Sequence, residues 1–214
     1  MSIEVRMFTV GQVQENCFLF RREGSNEALI IDPGEEPEKL LGAIEALGVD
    51  LKGILLTHTH FDHIGAVAEV ARATGAEVWV PEIEAFVLED INRFVPWPGF
   101  GPFENHKAEH TLNGGEQLEL AGFEIDVLST PGHSPGHVTF SIPDESAIFS
   151  GDVLFQQSIG RTDLPYGDHD TLMESIRMLV DTLPPETAVY PGHMGLTSLG
   201  AERASNPFLA ELAR

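Results

Sequence analysis

Seven consecutive residues, Thr57-His58-Thr59-His60-Phe61-Asp62-His63, set three imidazoles and a carboxylate where an apolar run, Gly53 to Leu56, gives way to a segment of helical period opening at Ile64. Such a stretch is not core material, because ionisable side chains offer packing nothing that apolar ones would not supply better. It must be a corner where a strand stops, the backbone turns, and side chains of ligand type converge. The fold therefore has to build a strand-turn-helix unit and bury what flanks it.

The rest of the chain agrees with a layered plan. Short runs rich in Ile, Val and Phe recur between turn residues, beginning with Ile3 to Val10, Cys17 to Phe20, Ala28 to Ile31 and Ile54 to Leu56. They read as strands, several of them buried on both faces. Leu40, Leu41, Ile44 and Leu47 follow helical spacing, with Pro37 near the start and Gly48 just past the end of the helix they predict. Ile64, Val67, Ala68 and Ala71 predict a second helix, and Leu172, Ile176, Leu179 and Leu183 a third, each with one apolar face to lay on a sheet.

Strands start afresh at Gln117 to Leu120 and continue through Phe123 to Leu128, Val138 to Ile142, Ala147 to Phe149 and Thr187 to Tyr190. Val138, Phe140 and Ile142 alternate with Thr139 and Ser141, the pattern of a half-buried strand. Two runs of strands, each with helices and with no linker between them, predict one α/β domain over residues 1–214: two packed mixed sheets with helices outside, a four-layer αββα sandwich. Pro81 to His110 is the least sheet-like stretch. Its run from Pro96 to Phe103 reads either as a loop capping a pocket or as an aromatic anchor for an irregular connection.

Charge narrows the partners. Twelve Lys and Arg stand against 34 Asp and Glu, a formal charge of −22, and that field repels nucleic-acid phosphates and anionic head groups. Glu4 and Arg6 put charge where an export peptide would be apolar, and no run approaches the length of a membrane span. The expectation is a cytoplasmic protein, monomer or homodimer, that binds a small molecule and neither nucleic acid nor membrane. Cys17 is the one cysteine, so no internal disulfide or thiolate metal cluster can form. Beside Asn16 in an apolar strand it reads as a small buried hydrophobe.

More residues of ligand type follow later strands, each beside glycine: His133 in Thr130-Pro131-Gly132-His133, Asp152 in Ser150-Gly151-Asp152, and His193 in Tyr190-Pro191-Gly192-His193. With His58, His60, Asp62 and His63 they make seven, the number that two adjacent metals require. Neutral imidazole and carboxylate suit zinc and also accept iron or manganese.

These seven residues, in this order and over nearly the whole chain, resemble the metal-site signature of the metallo-β-lactamase superfamily. The resemblance implies the αββα sandwich, with His58, His60 and His133 holding one metal, Asp62, His63 and His193 a second, and Asp152 bridging. Ile31-Asp32-Pro33-Gly34, Gly132 to His137, Gly160-Arg161-Thr162-Asp163 and Glu202 to Leu209 are similar to the glyoxalase II group and its short, single-domain bacterial relatives. Full-length members of that group add a helical domain that supplies much of the glutathione site, whereas this chain stops 21 residues after His193.

The implied activity is hydrolysis of a thioester such as a hydroxyacyl-glutathione by water activated between two divalent ions, zinc by default, with Asp62 also steering the proton. Arg161 reads as a clamp for a substrate carboxylate or as a partner of Asp163, and Asp32 as a turn residue or a carboxylate that orients a ligand. His137 reads as a hydrogen-bonded structural histidine, and His106, His110 and His169 as solvated. Gly160 to Asp163 also resembles the persulfide dioxygenases, whose single iron would here be held by His58, His133 and Asp152, with a glutathione-persulfide-like substrate. A third reading leaves the metals as staples of the fold.

Overall fold

The structure, a computed structural model, describes residues 2–210. Two compact units emerge, one formed by the chain up to Leu112 with Glu119–Phe123, the other by Asn113–Leu118 and the chain from Glu124 onward.

In the first unit six strands lie side by side in chain order: β1 (Ile3–Val10), β2 (Glu15–Arg22), β3 (Glu27–Ile31), β4 (Asp50–Leu55), β5 (Glu77–Pro81) and β6 (His110–Leu112). The first three are antiparallel; β3 to β6 run parallel. Parallel neighbours need long crossovers, usually helical. These are α1 (Pro37–Leu47), then α2 (Phe61–Ile64) with α3 (Val67–Thr74), then α4 (Ala85–Leu88) with α5 (Ile91–Phe94). Leu40 and Ile44 of α1 and Val67, Val70 and Ala71 of α3 share a core with Cys17, Leu19, Ala28, Ile30, Ile54, Val78 and Val80 from alternate strand positions. The intervening Phe18, Phe20, Leu29, Ile31 and Leu55 are buried too. Burial on both faces explains why β2 and β3 read as continuous apolar runs.

The α1 boundaries are those its spacing predicts. Gly48 takes a left-handed φ of 61° and its N–H closes on Ile44 and Glu45 carbonyls, which few other residues would do without strain. The predicted second helix is instead two. The helix breaks at Ala66, whose φ of −103° and ψ of 3° leave helical geometry and whose N–H donates to Pro33 O at 3.0 Å; at the preceding Gly65 a Cβ would meet the Gly34 carbonyl and lie 2.7 Å from the Phe103 ring. Strands β5 and β6 escape sequence reading, β6 because three residues are too few to display a period.

The remaining elements are β7 (Gln117–Leu120) and β8 (Phe123–Ser129), whose residues divide between the units, and, in the second unit, β9 (Val138–Ile142), β10 (Ala147–Gly151), the hairpin β11 (Leu154–Phe155) and β12 (Ser158–Ile159), α6 (His169–Thr182), β13 (Ala188–Pro191), β14 (Thr197–Ser198) and α7 (Leu199–Ser205). The sheet order is β14-β13-β10-β9-β8-β7, mixed because β10 and β13 run parallel. Leu172, Ile176 and Leu179 of α6 pack on Ile148 of β10 and Val189 of β13, with Leu154, Leu199 and Leu209 completing the cluster. Strand β9 departs from expectation: all five residues are buried. Thr139 tolerates this because its hydroxyl meets Thr130 Oγ1 at 3.0 Å, so the alternation of polarity marks a satisfied interior hydroxyl rather than a wet face.

Candidate metal centre

At the corner after β4, the structure brings His58, His60, Asp62 and His63 together. His58 Nε2 lies 3.2 Å from His60 Nδ1, the His58 and His63 ring centroids are 4.1 Å apart, and His63 Nε2 is 3.8 Å from Asp62 Oδ2. Beneath them sits Asp32, fully buried, in a left-handed conformation (φ 49°). Asp32 Oδ1 accepts from the Thr57 N–H at 2.8 Å; Oδ2 accepts from Thr57 Oγ1 at 2.6 Å and faces His63 Nδ1 at 3.0 Å.

A carboxylate only accepts, so His63 donates through Nδ1 and carries its lone pair on Nε2. Thr57 spends its hydroxyl proton on Asp32 and therefore accepts from His58 Nδ1, 3.0 Å away, which leaves the His58 lone pair on Nε2 as well. One carboxylate thus sets two imidazole tautomers for metal binding. The ligand-type atoms of Asp32, His58 and His63 lie within 4.8 Å of one another. With two donors already on Oδ2, Asp32 orients ligands rather than being one. Of its two sequence readings, the geometry supports the orienting carboxylate.

Two further acids hold this corner, and sequence reasoning passed over both. Buried Glu84 accepts at Oε2 from the N–H and the hydroxyl of Thr59, each at 3.0 Å, and so clamps the residue between His58 and His60. Buried Glu15 lies with Oε1 3.8 Å from His63 Nδ1. In Glu82-Ile83-Glu84 nothing local separates the buried acid from an exposed one. Gly34 is needed because a Cβ there would run into the Asp62 carbonyl oxygen.

The second unit gathers the other ligand-type residues. His133 Nδ1 donates to the Arg161 carbonyl at 2.8 Å, and its Nε2 lies 3.5 Å from Asp152 Oδ2. His193 Nε2 lies 3.6 Å from the same oxygen. Both separations exceed the roughly 2.7–3.2 Å of an N–H···O hydrogen bond. They approach the edge of about 3.3 Å between two tetrahedral ligands held roughly 2.0–2.1 Å from a zinc ion. Donor chemistry and spacing therefore fit a divalent cation.

His137 supports Asp152 from behind. The Asp152 N–H donates to His137 Nε2 at 3.0 Å, so the ring proton is on Nδ1 and goes to Thr130 Oγ1, also at 3.0 Å. This is the structural histidine expected. Arg161 places Nε and Nη2 on Asp163 at 2.7 and 2.8 Å, the pairing that was the alternative to a substrate clamp.

Within the first unit, the stretch from Pro81 to His110 packs its aromatics on the corner itself. Phe61, flanked by His60 and Asp62, meets Phe100 at 4.8 Å, Phe103 at 5.9 Å and Trp97 at 6.0 Å. Two histidines read as solvated are engaged. His110 stacks on Trp79 at 4.4 Å and hydrogen-bonds Glu77 at 2.7 Å, and His106 lies 3.7 Å from Glu109. His169 is exposed at the start of α6. Cys17 is wholly buried, and burial, then the charge of Glu15, pushes its thiol pKa well above the ordinary value.

A family model described as the metallo-β-lactamase superfamily matches residues 10–193, which includes every residue of both ligand sets. The chain belongs to that superfamily. Hydroxyacylglutathione hydrolase GloC of Haemophilus influenzae is 40% identical over 211 residues, 98% of each chain. The crystal structure of the B3 metallo-β-lactamase BLEG-1 is similar with a TM-score of 0.91 at 40% identity, covering 97% of this chain and 100% of that one. The crystal structure of TTHA1623 in a di-iron-bound form matches with a TM-score of 0.78 at 41% identity, over 96% and 100%. The fold is the α/β metallo-β-lactamase fold, with two mixed sheets and their helices, and the chain is a metallo-hydrolase of that superfamily. No helix among the described residues is long and apolar enough to cross a membrane.

Proposed function

We propose that the two ligand sets serve one dinuclear centre in a single catalytic domain, and that the protein hydrolyses a small thioester such as a hydroxyacyl-glutathione. His58, His60 and His133 hold one divalent cation, Asp62, His63 and His193 the other, and Asp152 is shared. The observation that carries this reading is Asp152 Oδ2, which lies 3.5 Å from His133 Nε2 and 3.6 Å from His193 Nε2, at ligand-edge distance from an imidazole of each set. When bound, two divalent cations lower the pKa of water towards neutrality and offset negative charge developing on a carbonyl oxygen.

The chain's own residues do the rest. Asp32 fixes the His58 and His63 tautomers, Glu84 holds the turn between His58 and His60, and His137 holds the Asp152 backbone. Asp62, besides holding a cation with His63, steers the proton of the attacking water. Arg161 receives a substrate carboxylate in exchange for Asp163, an exchange that is cheap because an exposed ion pair contributes only about 0–1 kcal/mol. Thioester chemistry is favoured by the 40% identity to a hydroxyacylglutathione hydrolase over 98% of both chains. Zinc is the metal of first choice, with iron or manganese as replacements, and the di-iron form of TTHA1623 is in keeping with two ions.

The test is thiol release from S-lactoylglutathione by metal-loaded protein, alongside elemental analysis of protein purified without added metal. Two ions per chain and turnover that His58→Ala abolishes are the expected results. No turnover above that variant removes the substrate. One iron per chain with oxygen uptake on glutathione persulfide replaces hydrolysis with the dioxygenase reading.

A further inference from the structure

Glu202, in the first turn of α7, is only 1% exposed. Its Oε2 accepts from the Gln157 backbone N–H and from Asn206 Nδ2, each at 2.8 Å, and its Oε1 accepts from Thr197 Oγ1 at 2.5 Å. Asn206 Nδ2 also reaches Ser158 O at 3.0 Å, and Gln157 Nε2 donates to Ser205 Oγ at 2.7 Å. A buried carboxylate carries a desolvation penalty of several kcal/mol unless such bonds repay it. An apolar side chain would fill the same space without that penalty, so packing alone does not account for an acid here. Nor does helix capping, since Ser198 already caps α7 through the Ala201 N–H.

What the carboxylate joins is informative. Gln157 sits in the turn of the β11-β12 hairpin, which opens two residues after Asp152. That hairpin closes through Gly160 N–H to Val153 O at 3.1 Å, with Gly160 pressed so close to the Asp152 carbonyl oxygen that no Cβ fits. Its Phe155 meets the His193 ring edge-on, centroids 5.9 Å apart and planes at 90°. Thr197 opens β14, four residues after His193. One carboxylate therefore ties the segment leaving Asp152 to the segment leaving His193.

We propose that Glu202 is a positioning residue that sets the separation of Asp152 from His193, and with it the affinity for the cation His193 holds; this rests on the dinuclear reading. Glu202→Gln keeps the shape but removes the charge that strengthens these bonds and leaves one acceptor oxygen in place of two, while Thr197→Val removes one strut and leaves the acid in place. Each variant is stripped of metal and titrated with Co(II) alone, following d–d absorption, with thermal unfolding of the metal-free protein measured in parallel.

The wild-type chain takes up two ions. Glu202→Gln keeps the tighter step, weakens the other by about 10–100-fold as loss of an orienting contact does, and alters the absorption of that step only. Thr197→Val moves the same step in the same direction by a smaller factor, and it carries the test if Glu202→Gln does not fold. Variants that bind the second ion with wild-type affinity and spectrum overturn the inference and leave the dinuclear reading standing. So does an equal loss at both steps that parallels a lowered melting temperature. A wild-type chain that takes up one ion overturns the dinuclear reading, and the inference with it.

Discussion

Replacing Asp32 by Asn tests the chain of hydrogen bonds beneath the metal ligands. Asn tolerates left-handed backbone nearly as well as Asp, so the φ of 49° adds no strain of its own, whereas Ala would add roughly 1–2 kcal/mol. The amide offers one acceptor where the carboxylate offered two. If its NH2 group takes the Oδ2 position, it faces Thr57 Oγ1 and His63 Nδ1, both of which now donate. Metal-free protein relaxes: Thr57 Oγ1 and His63 Nδ1 accept from the amide, the Thr57 hydroxyl donates to His58 Nδ1, and the ring protons of both imidazoles move to Nε2. Metal binding then requires the rings to return, opposing a buried donor to a donor at about 1–3 kcal/mol. At about 1.4 kcal/mol per tenfold, this is a loss of roughly 5–150-fold in affinity, in line with the 10–100-fold typical of an orienting carboxylate. Competition with a chromophoric chelator reads it directly, with the metal-free melting temperature nearly unchanged. A variant that binds metal as the wild type does, or one that loses stability while keeping its metal affinity, would refute the tautomer argument.

His137→Phe keeps the ring volume but leaves the Asp152 N–H and the Thr130 hydroxyl without their imidazole; the metal-free protein should lose about 2 kcal/mol in urea unfolding, and an unchanged midpoint would show that other groups hold Asp152. The Cys17 thiol is enclosed and its pKa is raised, so little thiolate is present or reachable at neutral or mildly alkaline pH. Ellman's reagent should leave the folded protein untouched at pH 8 and react with one thiol per chain in guanidinium; rapid reaction without denaturant would contradict that burial.

How much could be read before any coordinates depended on distance along the chain. Helix α1 was legible to its end residues because spacing, Pro37 and Gly48 all act within one short stretch. The corner from Thr57 to His63 was legible because four residues of ligand type fall together where a strand must stop. The segment from Ile64 to Ala71 misled, since it breaks at Ala66, whose N–H goes to Pro33, remote in sequence. Thr139 misled in the same way, because its partner Thr130 lies on another segment.

The residues of ligand type and the layered α/β plan were legible in the amino-acid order, since periodicity and the placing of such residues at strand ends are local quantities; the family was legible through the resemblance of motifs. The sequence left Asp32 with two readings and gave none for Glu84; which groups hold the ligand-type residues was decided by tertiary structure. Asp32 and Glu84 each act on residues 25 positions away, and Glu202 on one 45 positions away. A carboxylate becomes a buried acceptor only when packing removes water from it and delivers donors, and no pattern of neighbours along the chain encodes that.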